Sequence, residues 1–220
     1  MSCDEFTNIY WKNYILIEKE FKDTTKYVTL SDDNYDTYSI EYIKLLLQIG
    51  SEVDVLLKDF CSYIDKGFSG EKMNEYKNCI STSYQKLFQQ KVNVIHMKKD
   101  IEPWNDMMKQ QSISWWTAYN KVKHERNKTN TIDGITKASY KFANLRNTLM
   151  ALGGLYQILL NYYLMLAQDE NKHVLIPLPG SRIFSLSGNE WKDVNFVFDT
   201  AIYLNAEDGC LYMESSDMDY

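Results

Sequence analysis

All three prolines of the chain, Pro103, Pro177 and Pro179, fall between periodic apolar segments and never inside one. A proline inside a helix removes a hydrogen bond and clashes with the preceding turn, so this placement leaves two long stretches, before and after Pro103, free to be helical. Glycine is scarce as well. With 9 Gly and 3 Pro in 220 residues the two make up about 5.5%, against an average usage of roughly 12%. A turn-rich sandwich or barrel is therefore excluded. The 14% aromatic content also excludes a disordered chain, and the length suits one core.

Apolar spacing then places the helices. Phe6, Tyr10, Tyr14, Ile17 and Phe21 recur every three or four residues and predict an amphipathic helix over 4–25. Ser39, followed by Glu41, reads as the N-cap of a second helix running to 65, with Ile43, Leu46, Leu47, Val53, Leu57, Phe60 and Ile64 on its stripe. Gly67 and Gly70 interrupt, and Met73, Tyr76, Ile80, Tyr84, Leu87 and Phe88 make a third stripe. Residues 91–104 read as extended. A short helix with two adjacent tryptophans is expected over 112–127. Asp133-Gly134 precedes what reads as the last and longest helix, 135–167. Beyond it, residues 173–180 read as a linker, 181–188 and 194–199 as short strands, and 203–213 as a hairpin turning at Asp208-Gly209. The expected fold is mainly α: an up-and-down helical bundle of about five helices with a small C-terminal β hairpin. Residues 1–167 would form the bundle, and 168–220 an extended linker and β appendage packed on it.

Residues 147–168 carry no charge and are long enough to span a bilayer. Gln157, Asn161 and three tyrosines dilute their apolarity, and Lys137, Lys141 and Arg146 precede them on an amphipathic pattern. A core helix is expected, with Gly153-Gly154 allowing a neighbour to approach closely. The four cysteines (Cys3, Cys61, Cys79, Cys210) show no C-x-x-C spacing, and no basic-then-apolar leader opens the chain. A reduced, cytoplasmic protein with no membrane attachment is the expectation. His96 and His173 lack carboxylates or cysteines at ligand spacing, and no phosphate-binding glycine motif occurs, so neither a metal nor a cofactor is implied.

The net charge of -6 conceals an asymmetry. From Lys109 to Arg146 there are eight Lys and Arg against Glu125 and Asp133, which is +6 locally and leaves -12 elsewhere. A basic segment within an acidic protein fits a local anion site such as a phosphate backbone; equally, acidic neighbours in the fold could balance it. At its centre stands Tyr119-Asn120-Lys121-Val122-Lys123-His124-Glu125-Arg126. On a helix, Asn120, His124 and Asn127 lie within about 60° of one another, and Trp115, Ala118 and Val122 face the other way. An imidazole on a polar stripe among ammonium groups can serve a phosphodiester site, or be a hydrogen-bonded structural group.

The stretch YNKVKHER, preceded by YSIEYIKLLLQIGSEVDVLLK and followed by ANLRNTLMALGGL, resembles the HEPN superfamily over residues 38–167. The resemblance implies a helical domain that dimerises, and for many members a metal-independent endoribonuclease of toxin or defence systems, with RNA and an antitoxin protein as partners. The family signature is an arginine, a polar residue that is often asparagine, three further residues and a histidine. It would make His124 the acid/base group and Asn120 its polar companion, with Arg126 standing in for the motif arginine, because Tyr119 occupies that place. Lys121, Lys123, Lys128 and Tyr119 would contact the nucleic acid. The departure at Tyr119 leaves a second reading open: a non-catalytic helical dimerisation or interaction module with a degenerate motif.

Overall fold

The structure, a computed structural model, describes residues 1–109, 112–172 and 176–187, together with the strands 200–204 and 211–215. It is mostly helical. The N-terminal helix begins at Ser2, whose hydroxyl accepts from Glu5 N while Glu5 reaches back to the Ser2 amide. It runs through α1 (Cys3–Phe6), a π-helical turn (Thr7–Trp11) and α2 (Lys12–Thr24). The expected stripe is fully buried. The π turn changes the angular step, so Tyr10 and Trp11, adjacent in sequence, are both buried.

Ser39 caps α3 (Ile40–Ile64), its hydroxyl accepting from Tyr42 N at 3.1 Å. The buried stripe is Tyr42, Leu45, Leu46, Ile49, Val53, Leu56, Leu57, Phe60 and Cys61; Ile43, Leu47 and Ile64 sit at its margins. The third predicted helix is split into α4 (Met73–Ser83) and the single turn α5 (Lys86–Gln89). The extended segment after it forms β1 (Lys91–Val94) and β2 (Lys99–Ile101), followed by the short α6 (Asn105–Met108) and then α7 (Ser114–His124).

The start of the last helix needs correction. Residues 129–138 form a hairpin of β3 (Thr129–Ile132) and β4 (Ile135–Ala138), in which Asp133 and Gly134 both adopt positive φ, 50° and 77°. That pair is the dipeptide a two-residue primed turn requires, and it outweighs the weak helical pattern downstream. A 3₁₀ turn (Ser139–Phe142) follows, and α8 (Leu145–Asp169) starts only after Asn144, whose side chain accepts from Asn147 N.

Helix α8 lies at the centre and packs along α3. It is long and apolar enough to cross a membrane, but 83% of its apolar window is buried inside the protein, as expected of a core helix. Its buried amides are largely matched from within, although Gln157 Oε1 has no hydrogen-bond partner among the described residues. Asn161 Nδ2 donates to Gln90 Oε1 at 2.7 Å, Gln90 Nε2 returns a bond to Asn161 Oδ1 at 3.1 Å, and Gln157 Nε2 donates to the Leu87 carbonyl. Most buried amide groups in folded proteins are so paired.

The strand β5 (Phe184–Ser187) joins β1 to complete an antiparallel sheet of order β2-β1-β5, with Ile183, Phe184 and Leu186 in the core. Glu18, buried on α2, anchors this return: it accepts from Tyr14 OH at 2.8 Å, from the Ser181 hydroxyl, and from Arg182 N at 3.0 Å. Burial and the neighbouring Glu18 carboxylate push the Tyr14 phenol well above its ordinary range. Further on, β6 (Thr200–Leu204) pairs antiparallel with β7 (Leu211–Ser215). The expected strand at 194–199 and the Asp208-Gly209 turn lie outside the described residues, as do His173 and Cys210.

Candidate nucleic-acid interface

Helix α7 is seated by two glycine notches. On α3, a methyl group added at Gly50 would collide with the Tyr119 ring, so the absence of a side chain there is what admits the tyrosine. On α8, a Cβ at Gly154 would come within 3.3 Å of both Trp104 and Trp115, and one at Gly153 within 2.8 Å of Ile101 Cδ1. Trp115 Nε1 donates to Pro103 O at 2.9 Å and Trp104 Nε1 to Gly154 O at 3.2 Å, which fixes both indoles. The predicted apolar face, Trp115, Ala118 and Val122, is buried.

Tyr119 joins that face. Expected among the nucleic-acid contacts, it is only 3% exposed, and its ring fills the Gly50 notch instead of offering a stacking surface. Its hydroxyl reaches the edge of the core and accepts from Lys123 Nζ at 3.1 Å.

The helix ends at His124, not at 127, because the following hairpin captures the chain. Asn130 Nδ2 bridges Glu125 Oε2 at 3.1 Å and Ser139 Oγ at 2.8 Å, while Ser139 donates through its amide (2.8 Å) and hydroxyl (3.0 Å) to the Lys128 carbonyl. Glu125 also pairs with Lys121 at 3.2 Å. The Asn130 bond first, and Lys121 next, hold the Glu125 carboxyl below the usual carboxylate range. Arg126 therefore does not continue the helix. Its Nε turns back to the Val122 carbonyl at 3.3 Å, satisfying a carbonyl that the helix end leaves without a partner.

These ties distribute the predicted site residues as follows. His124 is exposed at the last position of α7, neither in the floor of a cleft nor sealed beneath the tryptophans. Asn120 is half-buried and its amide donates to Trp116 O at 3.0 Å, and Arg126 is engaged with Val122 O, so within one chain neither is hydrogen-bonded to His124. Lys123, His124, Arg126 and Lys128 are exposed side by side along the turn. Of the basic segment, Lys121 and Lys137 are balanced by Glu125 and Asp36. Lys123, Arg126, Lys128 and Lys141 form no ion pair among the described residues. The positive charge is thus only partly neutralised by the fold.

A polar cleft of about 640 Å³ opens beside the first turn of α8. Glu102, Asp106, Asp133, Ser114, Arg146 and Asn147 line it. Glu102 is paired with Lys91 at 3.3 Å. The amides of Leu145, Arg146 and Asn147 are taken by Thr37 O, Tyr35 O and Asn144 Oδ1, so the helix terminus offers them to no anion. Among the described residues no cluster of His, Cys, Asp or Glu is arranged to hold a metal ion.

No family model, curated protein or solved structure matches this chain.

Proposed function

We propose that this protein is a HEPN-like RNA-binding protein whose contact surface is the basic turn at the end of α7 and the hairpin that holds it. One observation carries the reading: four cations, Lys123, Arg126, Lys128 and Lys141, have no carboxylate partner among the described residues on a part of the chain braced by the Glu125–Asn130–Ser139 bonds. Cations on a braced support that form no ion pair are what a phosphate backbone recruits, since each phosphate neutralised releases counterions. The HEPN resemblance implies that the long helices pack as an up-and-down bundle; the β6–β7 pair lies outside it, and its reading as a C-terminal hairpin rests on the Asp208-Gly209 turn signal and the antiparallel pairing.

Cleavage is a second activity, which we assign only to a homodimer. His124 is exposed and has no hydrogen-bond partner among the described residues, so it is free to act as acid or base, but Tyr119 is buried where the family places arginine. A second copy would have to bring Arg126 to the phosphate held at His124. An RNA binding and cleavage assay in excess chelator, comparing wild type with His124→Ala and Arg126→Ala, tests both parts. Binding weakened by Arg126→Ala, with any cleavage abolished by His124→Ala, is expected. A wild-type protein that neither binds nor cuts RNA overturns the proposal.

A further inference from the structure

Two tyrosines stand exposed beside the basic turn, and burial in the core does not account for them. Tyr38 and Tyr140 are 45% and 36% exposed, with ring centroids 5.7 Å apart and planes at 74°. Lys141 Nζ lies 5.5 Å from one centroid and 5.9 Å from the other. Both rings stand on rigid supports. Tyr38 forms a β-bridge with Asn144 and directly precedes the Ser39 cap of α3. Tyr140 follows Ser139, whose amide and hydroxyl are bonded to the Lys128 carbonyl. The ring pair is therefore held one residue away from the end of the basic turn.

We infer that Tyr38, Tyr140 and Lys141 form a stacking platform for an unpaired base of single-stranded RNA, with the adjoining phosphate held by Lys141. The inference rests on the RNA-binding reading above and names the form of RNA it takes. Every base has a π face, so exposed aromatic rings beside cations recognise single strands with little regard to sequence, and a base inside a duplex cannot reach them. Charge favours RNA over a protein occupant: Lys141 has no ion-pair partner among the described residues, and lysine is depleted from protein–protein interface cores.

The test is fluorescence anisotropy with a labelled oligouridine and with an abasic oligomer of the same length, which keeps the phosphates and lacks the bases. The Tyr38→Ala/Tyr140→Ala double variant should bind oligouridine about tenfold more weakly than wild type. It should bind the abasic oligomer as wild type does, and Tyr38→Phe/Tyr140→Phe should restore oligouridine binding. Equal affinity of the alanine variant and wild type for oligouridine, or equal losses on both oligomers, would overturn the platform while leaving RNA binding intact. A wild type that binds neither oligomer would overturn the RNA-binding reading as well.

Discussion

The polar cleft is lined by Ser114 and Trp115 from the start of α7 and the basic turn follows its end at His124, and the two differ in kind. The turn carries exposed cations, Lys123, Arg126 and Lys128, without a cavity. The cleft has the cavity, but Glu102, Asp106 and Asp133 line it together with one cation, Arg146, and the α8 amides beside it are already occupied. A compact anion would need charge and enclosure in one place. An extended polyanion needs only a row of cations on a stiff support, and only the turn provides that.

Reversing the charge of the turn should break this contrast most severely. Arg126→Glu, Lys128→Glu and Lys141→Glu together should lower RNA affinity by on the order of a hundredfold, and make the dependence of log K on log salt shallower by about 2. Binding titrations at several salt concentrations read both quantities. Next comes the seating of the helix. Gly50→Ala gains up to about 1 kcal/mol of helix propensity but drives a methyl into a buried ring that has no room to move. A net loss of roughly 2 kcal/mol, or about 4–8 °C in Tm for a chain of this size, should appear in a thermal melt. Neutralising the cleft with Glu102→Gln and Asp106→Asn should leave RNA affinity within about twofold of wild type, since charges away from the contact are largely screened; a large loss would move the site into the cleft. The smallest effect concerns acid. The Glu125 carboxyl is depressed in the folded state by Asn130 and Lys121, so its contribution is present above the ordinary carboxylate value and lost as pH falls through the depressed one. Amide protection at Ser139 should fall at acidic pH, and Glu125→Gln should flatten that dependence.

Much of the fold was legible because helical stripes are local. Phe6 through Phe21, the Ser39 cap and the buried face of α7 all follow from spacing and one capping side chain. The errors arose where tertiary bonds overruled a local pattern. The Asp133-Gly134 turn made a hairpin of residues expected to be helical, and the Asn130 and Ser139 bonds stopped α7 at His124, so the helical projection of Asn127 does not apply. Tyr119 shows the same limit from inside the core. Its place is set by Gly50, far away in sequence, and periodicity within α7 carries no trace of that partner. The polar residues of α8 dilute its apolarity, and their partners, Gln90 and the Leu87 carbonyl, come from elsewhere in the chain, which no spacing rule could supply.

Chemical-shift mapping of the isotope-labelled protein during titration with oligouridine reports directly where RNA sits. If the basic turn is the interface, the amides of 123–130 and 138–142 shift together and those of 102–106 stay in place. Shifts centred on 102–106 and 146–150, or none anywhere, would contradict it.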